Sequence, residues 1–215
     1  MPIQNSEFLI LAAPALAWTA GMGLFKTLLI LLIIHHWVPN GTFTGTMSFV
    51  GHPIGFYIIC ALGALEMIID MIPRADVWWD RWTVHLRLIG GVVLGFIILE
   101  TETLDTQIMM AIFGIMLTVL AYVAKTAARR AAIQSGTAPF VAPVSSITEN
   151  CLIVSTLAPL TRLPPLTILL LLFMALAAII VIYIVRQEAR QAFQWLFKFQ
   201  WTPVPPKEPA HQPAD

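Results

Sequence analysis

The stretch LEMIIDMIPRADVWWD, residues 65–80, decides how this chain has to fold. Glu66 and Asp70 lie inside an otherwise apolar run, and Asp76 and Asp80 come soon after it. A charged side chain at the centre of a bilayer costs about 3 kcal/mol or more, so such groups turn inward and pair or lose their charge. Glu66 and Asp70 are four residues apart and share one helix face. We therefore expect this face to point into the protein, where a proton or a cation could exchange.

The composition around this stretch is that of an integral membrane protein. Of the 215 residues, 58% are hydrophobic and only 11% are charged, and the mean hydropathy is +0.81. These values lie well beyond those of a soluble domain. The formal net charge is zero, with 12 basic and 12 acidic residues, and gives no reason to expect nucleic acid as a partner. The expected partners are the lipid bilayer, other membrane protein subunits, or further copies of this chain in a homo-oligomer.

Six apolar runs are predicted to cross the membrane, since a span needs about 20 apolar residues. They cover residues 8–38, 54–72, 88–99, 107–124, 141–160 and 166–185. The first run is too long for one straight crossing and is broken by GMG at residues 21–23, and the third run is short. The predicted fold class is therefore an all-α integral membrane protein, with a single transmembrane domain over residues 1–200.

The chain changes character twice after the sixth run. Residues 186–201 mix basic and aromatic side chains, which is typical of an amphipathic helix in the headgroup layer. Residues 202–215 are rich in proline and are predicted to be a disordered tail. Basic residues also concentrate in the segments 74–87 and 125–130, which are predicted as loops on the same side. With six crossings, the positive-inside rule then puts both termini in the cytoplasm. If the first run is split and counts as two crossings, only the N-terminus moves outside.

A weak internal repeat relates the two halves of the chain. A shift of 99 positions places TAGMGLFKT, residues 19–27, over TVLAYVAKT, residues 118–126, and GALE at residues 63–66 has a counterpart in SITE at residues 146–149. With three spans in each half, an odd number, the copies would be inverted relative to each other, as in many secondary transporters. The two halves would be residues 6–100 and 105–185.

Such a repeat supplies each half with one Lys from its first helix and one Glu from its second. We predict that these residues form a polar centre between the halves, together with neighbouring polar side chains. The predicted site consists of Glu66, Asp70, Lys26, Glu149, Lys125, Ser145 and Ser146. The leading hypothesis is a membrane transporter, or a channel-like protein, for a small solute or ion, which could be proton-coupled.

Other interpretations of these charged residues stay open. An intramembrane ion pair between Lys26 and Glu66 can simply lock helices together, because structural pairs are perturbed as functional pairs are. A second group is predicted to be structural and interfacial: Asp76, Asp80 and Arg87. A metal site formed by the two aspartates with His85 is the minor alternative, because it lacks a recognised ligand spacing.

The sequence contains no nucleophile elbow, phosphate-binding loop or zinc-ligand pattern. We therefore expect no enzymatic activity, no cofactor and no metal. The second function hypothesis is a non-catalytic accessory or structural subunit of a larger membrane complex. A lipid-handling protein, whose acidic groove faces lipid headgroups, ranks third.

A longer pattern surrounds the opening stretch. It reads E-x3-D-x2-P-x2-D-x3-D over residues 66–80 and is followed by Arg87 and the glycine pair at residues 90–91. With KTAARRAAI at residues 125–133 and SSITEN at residues 145–150, it resembles a bacterial multi-pass membrane family, domain of unknown function 4126.

The resemblance covers most of the chain, about residues 20–185. The chain departs from the family pattern at residues 23–26, which lack a proline, and at residues 149–150, where Glu-Asn replaces the usual Glu-Asp. The resemblance implies a helical protein of the bacterial cytoplasmic (inner) membrane but implies no settled activity, so function has to be argued from the site.

Overall fold

The structure is a computed structural model that describes residues 6–37, 52–99, 102–157 and 164–197. These residues form eight α-helices: α1 (Ser6–Met22), α2 (Leu24–Trp37), α3 (Pro53–Ile69), α4 (Pro73–Ile98), α5 (Leu104–Gln134), α6 (Ala138–Leu157), α7 (Pro164–Ile184) and α8 (Arg186–Phe197). The prediction of an all-α fold is confirmed for this part of the chain. The predicted disordered tail at residues 202–215 lies outside the described residues.

Among the residues that the structure describes, three helices are long and apolar enough to cross a membrane. They cover Leu104–Gln134, Ala138–Leu157 and Leu166–Ile184, while Leu24–Ile34 and Pro53–Ile69 are apolar but shorter. These helices are compatible with a membrane protein, in agreement with the composition. They correspond to five of the six predicted runs, of which three meet the length that a straight crossing needs.

The predicted third span at residues 88–99 is not a short separate element, which corrects the prediction. α4 continues without interruption from Pro73 to Ile98, because Pro73 at its first position is compatible with a helix start and no further proline follows. The segment 125–130, predicted as a loop, is likewise helical and belongs to α5. Both charged segments therefore extend the apolar helices to which they are joined.

A short turn joins α5 to α6. The chain turns at Gly136, whose φ of +73° is readily adopted only without a side chain, and α6 begins at Ala138 with Pro143 inside it. This short turn sets the start of α6 directly beside the end of α5.

The centre of the described bundle is α1, whose residues from Ala12 to Met22 are all buried. Its small side chains allow a close approach to α5, as in many membrane helix pairs. Gly114 lies against Ala17, with 3.2 Å between the Ala17 Cβ and the place where a Cβ of residue 114 would stand. The Thr118 hydroxyl donates a hydrogen bond of 2.8 Å to the Ala17 carbonyl. We call this contact between α1 and α5 the small-residue seam.

The two helices of the small-residue seam run in the same direction. Ala17 contacts Gly114 and Thr118, whereas Gly21, one turn later, faces Thr118 and Ala121. These are the segments that the predicted repeat superposes. In an inverted repeat they would run in opposite directions, so this contact does not support the predicted inversion.

Candidate functional site

Gly23 separates α1 from α2, at the GMG where the sequence predicts a break. In an unbroken helix the Lys26 N–H would donate to the Met22 carbonyl. Here the Lys26 N–H donates to Glu66 Oε2 at 2.9 Å, and the Met22 carbonyl accepts a hydrogen bond of 2.9 Å from Lys125 Nζ. Each of the two backbone groups is thus held by a charged side chain from another helix.

Lys26 enters the site just after this break. Its ammonium group pairs with Asp70 and lies 3.1 Å from Glu149 Oε2. The side chains of Lys26 and Asp70 are fully buried. The lysine from the first half of the chain therefore contacts the glutamate from the second half, although the sequence pairs it with Glu66 in its own half.

Lys125 on α5 is surrounded by oxygen atoms. Its Nζ lies 3.5 Å from Asp70 Oδ1, 3.6 Å from Asp80 Oδ1 and 3.3 Å from Glu149 Oε2, in addition to the Met22 carbonyl. Because the ammonium faces three carboxylates from α4, α6 and the end of α3, it links these helices to α5.

Arg129 is a site residue that the sequence analysis does not include. It lies four residues after Lys125, on the same face of α5. Its Nη1 pairs with Asp76 and lies 3.3 Å from Asp70 Oδ1, and its Nη2 donates to Glu149 Oε1 at 2.7 Å. The four-residue spacing is the signal that could have revealed it, had the segment been assigned to a helix.

Arg87 and two aspartates of α4, predicted as a separate structural and interfacial group, contact the residues of the predicted site. Arg87 is fully buried, and its Nη2 lies 2.9 Å from Glu66 Oε1 and 2.7 Å from Asp80 Oδ1. Asp76 and Asp80 are only 1% and 2% exposed. Positions 76, 80 and 87 are separated by four and seven residues, which places them on one face of an uninterrupted helix.

These contacts define one charged cluster, made of Lys26, Glu66, Asp70, Asp76, Asp80, Arg87, Lys125, Arg129 and Glu149. Five acids and four bases give it a formal charge of −1, and Arg130 lies close enough to Asp80 to interact with it electrostatically. Several members have more than one partner: Asp70 and Glu149 each pair with the same three bases, Lys26, Lys125 and Arg129. The cluster is thus a network and not a set of separate pairs.

Neither of the two predicted serines forms a described hydrogen bond with the charged cluster. Ser145 Oγ donates to the Ala142 carbonyl within α6 and forms no described contact with the charged cluster. Ser146 is fully buried, and its hydroxyl has no hydrogen-bond partner among the described residues. The structure therefore brings together the charged residues of the predicted site but not Ser145.

Three carboxylates of the cluster, from Asp70, Asp76 and Asp80, place oxygen atoms within 4.8 Å of one another. His85 is not part of this group, unlike in the alternative considered from the sequence. The oxygens already face Arg129, Lys125 and Arg87. Since the cationic side chains of the protein neutralise them, the arrangement fits an ion-pair network better than a metal site.

A small open pocket reaches the charged cluster where α5 ends and α6 begins. Asp76 and Arg129 contribute its polar lining, and its walls are apolar: Ala132, Ile133, Ala138, Val141 and Ala142. Glu66 does not line this pocket. The cluster is therefore approached from outside at Asp76 and Arg129, while Glu66 and Lys26 lie deeper.

No curated protein and no solved structure gives a significant match to this chain. A family model does match it, over residues 10–183, which is most of the sequence. The match spans α1 to α7 apart from their outermost residues and includes every member of the charged cluster. The chain therefore belongs to the family described as domain of unknown function 4126.

Proposed function

We propose that the protein is a membrane transporter for a small ion or solute, coupled to proton movement through the charged cluster. The observation that carries the proposal is the sharing of partners within the network. Glu149 and Asp70 contact the same three cations. A pair that only joins two helices needs one acid and one base, whereas a shared network allows a partner to change.

The energetic reason lies in the cost of an isolated buried charge. Removing one partner of a buried ion pair costs about 3–5 kcal/mol when the other charge is stranded. In this cluster, a proton on Glu149 would leave Lys26, Lys125 and Arg129 in contact with Asp70. Neutralising one acid therefore strands no base, which is a condition for exchanging a proton or an ion inside a membrane.

The cluster also connects the pocket to the deepest acid. From the pocket, Asp76 pairs with Arg129, which contacts Asp70, and Asp70 pairs with Lys26 beside Glu66. These polar groups form a continuous series of contacts from the surface to the break between α1 and α2. Charged groups placed inside a membrane protein commonly mark such pathways.

Several finer features belong to this proposal. The chain would lie in the bacterial inner membrane with its C-terminus in the cytoplasm, and α8 would lie in the headgroup layer. Two related halves would meet at the cluster, since Lys26 and Lys125 contact the same carboxylates, Asp70 and Glu149. The protein would act without breaking covalent bonds, and hence without enzymatic activity.

Proton flux into liposomes tests this function. The protein is reconstituted into phosphatidylcholine–phosphatidylglycerol vesicles that contain a pH-sensitive dye, and a potassium diffusion potential is imposed with valinomycin. We expect the wild type to acidify the lumen faster than protein-free vesicles. Glu66→Gln should reduce the rate to the protein-free level. The variant should still fold, because Arg87 still pairs with Asp80.

Asp105→Asn is the matched control, since Asp105 is an exposed acid at the start of α5. It should retain the wild-type rate. Equal rates for wild type, Glu66→Gln and empty vesicles, with and without added Na⁺ or K⁺, would overturn the proposal.

The second candidate is an accessory subunit of a larger membrane complex. It is favoured by the size of the pocket, which reaches Asp76 and Arg129 but not Glu66. In that case the cluster would join helices and carry nothing. Purification in a mild detergent should then yield fixed partner proteins in constant ratio, and Glu66→Gln should reduce yield or melting temperature without any flux to lose.

A further inference from the structure

The break between α1 and α2 is held open by two charged side chains of the cluster. The Lys26 N–H and the Met22 carbonyl are the groups that would bond each other in a continuous helix. Glu66 accepts from the first and Lys125 donates to the second, both at 2.9 Å. Each of these two backbone groups therefore has a charged side chain as its partner at the break.

We infer that this break is a hinge whose state is set by the charges of Glu66 and Lys125. A carboxylate accepts a backbone N–H more strongly than a neutral group does, and an ammonium donates more strongly to a carbonyl. When either side chain loses its charge, its hydrogen bond to the backbone weakens. The Lys26 N–H then donates to the Met22 carbonyl, as in a continuous helix. α2 then turns relative to α1 toward a continuous helix.

The surroundings of Gly23 agree with a moving joint. A Cβ at this position would contact Lys26 Cε and would lie 3.3 Å from Glu66 Oε2. The two flanking backbone bonds, from Gly23 N to the Thr19 carbonyl and from Thr27 N to the Gly23 carbonyl, are kept at 3.0 Å. The interruption therefore lies between these two bonds, and glycine leaves room for the side chains that face it.

Other charged groups face the two side chains that hold the hinge. Glu66 also contacts Arg87, and Lys125 also contacts carboxylates from three other positions: Asp70, Asp80 and Glu149. A change of charge elsewhere in the cluster therefore reaches the hinge through these contacts. The inference deepens the proposed function, because it identifies the element that would move when the cluster exchanges a proton or an ion.

A distance measurement between spin labels tests the hinge without measuring transport. One label replaces Ile33 on α2 and the other replaces Ile108 on α5, both exposed, in a background with Cys60 and Cys151 changed to Ala. Ile33 lies ten residues beyond Gly23, about 15 Å along the helix, so a turn of about 20° moves it by about 5 Å. We expect Glu66→Gln and Lys125→Gln each to shift the distance by several ångströms, and Lys125→Arg to leave it near the wild-type value.

Gly23→Ala and Gly95→Ala complete the test. The methyl group at residue 23 displaces the flexible end of Lys26 and crowds Glu66 while every charge is kept, and it should also shift the distance. A methyl group at residue 95 would meet no described atom within 4 Å, so Gly95→Ala should leave the distance unchanged.

The outcomes separate the hinge from the transport function. If Glu66→Gln and Lys125→Gln do not fold, Gly23→Ala decides. An unchanged distance in any folded hinge variant overturns the inference. A shifted distance in the hinge variants, with no proton flux through the wild type, keeps the hinge and rejects the transport function. Proton flux through the wild type, with no shifted distance in the hinge variants, does the reverse.

Discussion

The small-residue seam and the charged cluster lie on the same helix, α5, but are held together by opposite means. At the seam, Gly114 and Thr118 allow the backbone of α1 to come close, and contact is steric. About two and three turns after Thr118, Lys125 and Arg129 hold other helices by charge. The comparison shows that one helix can be closely packed along one part and be held by shared ion pairs along the next.

The largest effect is expected where a buried charge is stranded. Arg87 is the cation that pairs with Glu66, and it is fully buried. Arg87→Met should lower the free energy of unfolding by about 3–5 kcal/mol, because Glu66 would keep its charge without this partner. Chemical unfolding in a mild detergent measures the change. Adding Glu66→Gln to this variant should recover most of the loss; no recovery would show that Arg87 acts by packing alone.

A smaller but clear effect is expected for overpacking of the seam. A Cβ on Gly21 would overlap the backbone carbonyl of Thr118, which cannot move aside as a side chain can. We expect Gly21→Ala to cost about 2–3 kcal/mol. Gly95→Ala is the matched control, and it should be neutral or stabilise α4 by up to about 1 kcal/mol. Equal melting temperatures for the two variants would contradict a steric seam.

A single neutralisation inside the shared network should cost less than stranding a charge. In Glu149→Gln, all three cations that contacted Glu149 keep Asp70 as a partner. We expect a loss of about 1.5 kcal/mol, the lower end of the range for a hydrogen bond to a charged group. The difference between the unfolding free energies of Glu149→Gln and Arg87→Met, in the same assay, measures how far the shared partners reduce the loss. A loss as large as that of Arg87→Met would mean that the pairs are independent.

The smallest effect concerns the polar contact within the seam. Thr118→Val removes the hydrogen bond from the Thr118 hydroxyl to the Ala17 carbonyl. Such bonds between membrane helices contribute about 0.6 kcal/mol on average. Thr148→Val serves as the control, because the Thr148 hydroxyl is exposed and bonds within its own helix. A difference above about 2 kcal/mol between these variants would show that the seam depends on polar contacts more than on close packing.

The sequence analysis succeeds for the helical class and for the position of the break at Gly23. Hydropathy and glycine content are local properties, and they are sufficient for both. The prediction from sequence fails where one helix contains both an apolar and a polar segment, at residues 73–87 of α4 and 125–134 of α5. Charge in these segments suggests a loop in water, yet the side chains are paired with each other inside the protein. Arg129 is missed for this reason.

The sequence by itself determined that acids and bases within apolar segments must meet, because an unpaired charge is too costly in a membrane. It could not determine which acid meets which base. Lys26 pairs with Glu149 from the other half of the chain, whereas Arg87 on α4 pairs with Glu66 on α3, in the same half. Only the tertiary structure decides these partners, because several pairings satisfy charge equally well and the close packing of α1 against α5 selects the one that fits.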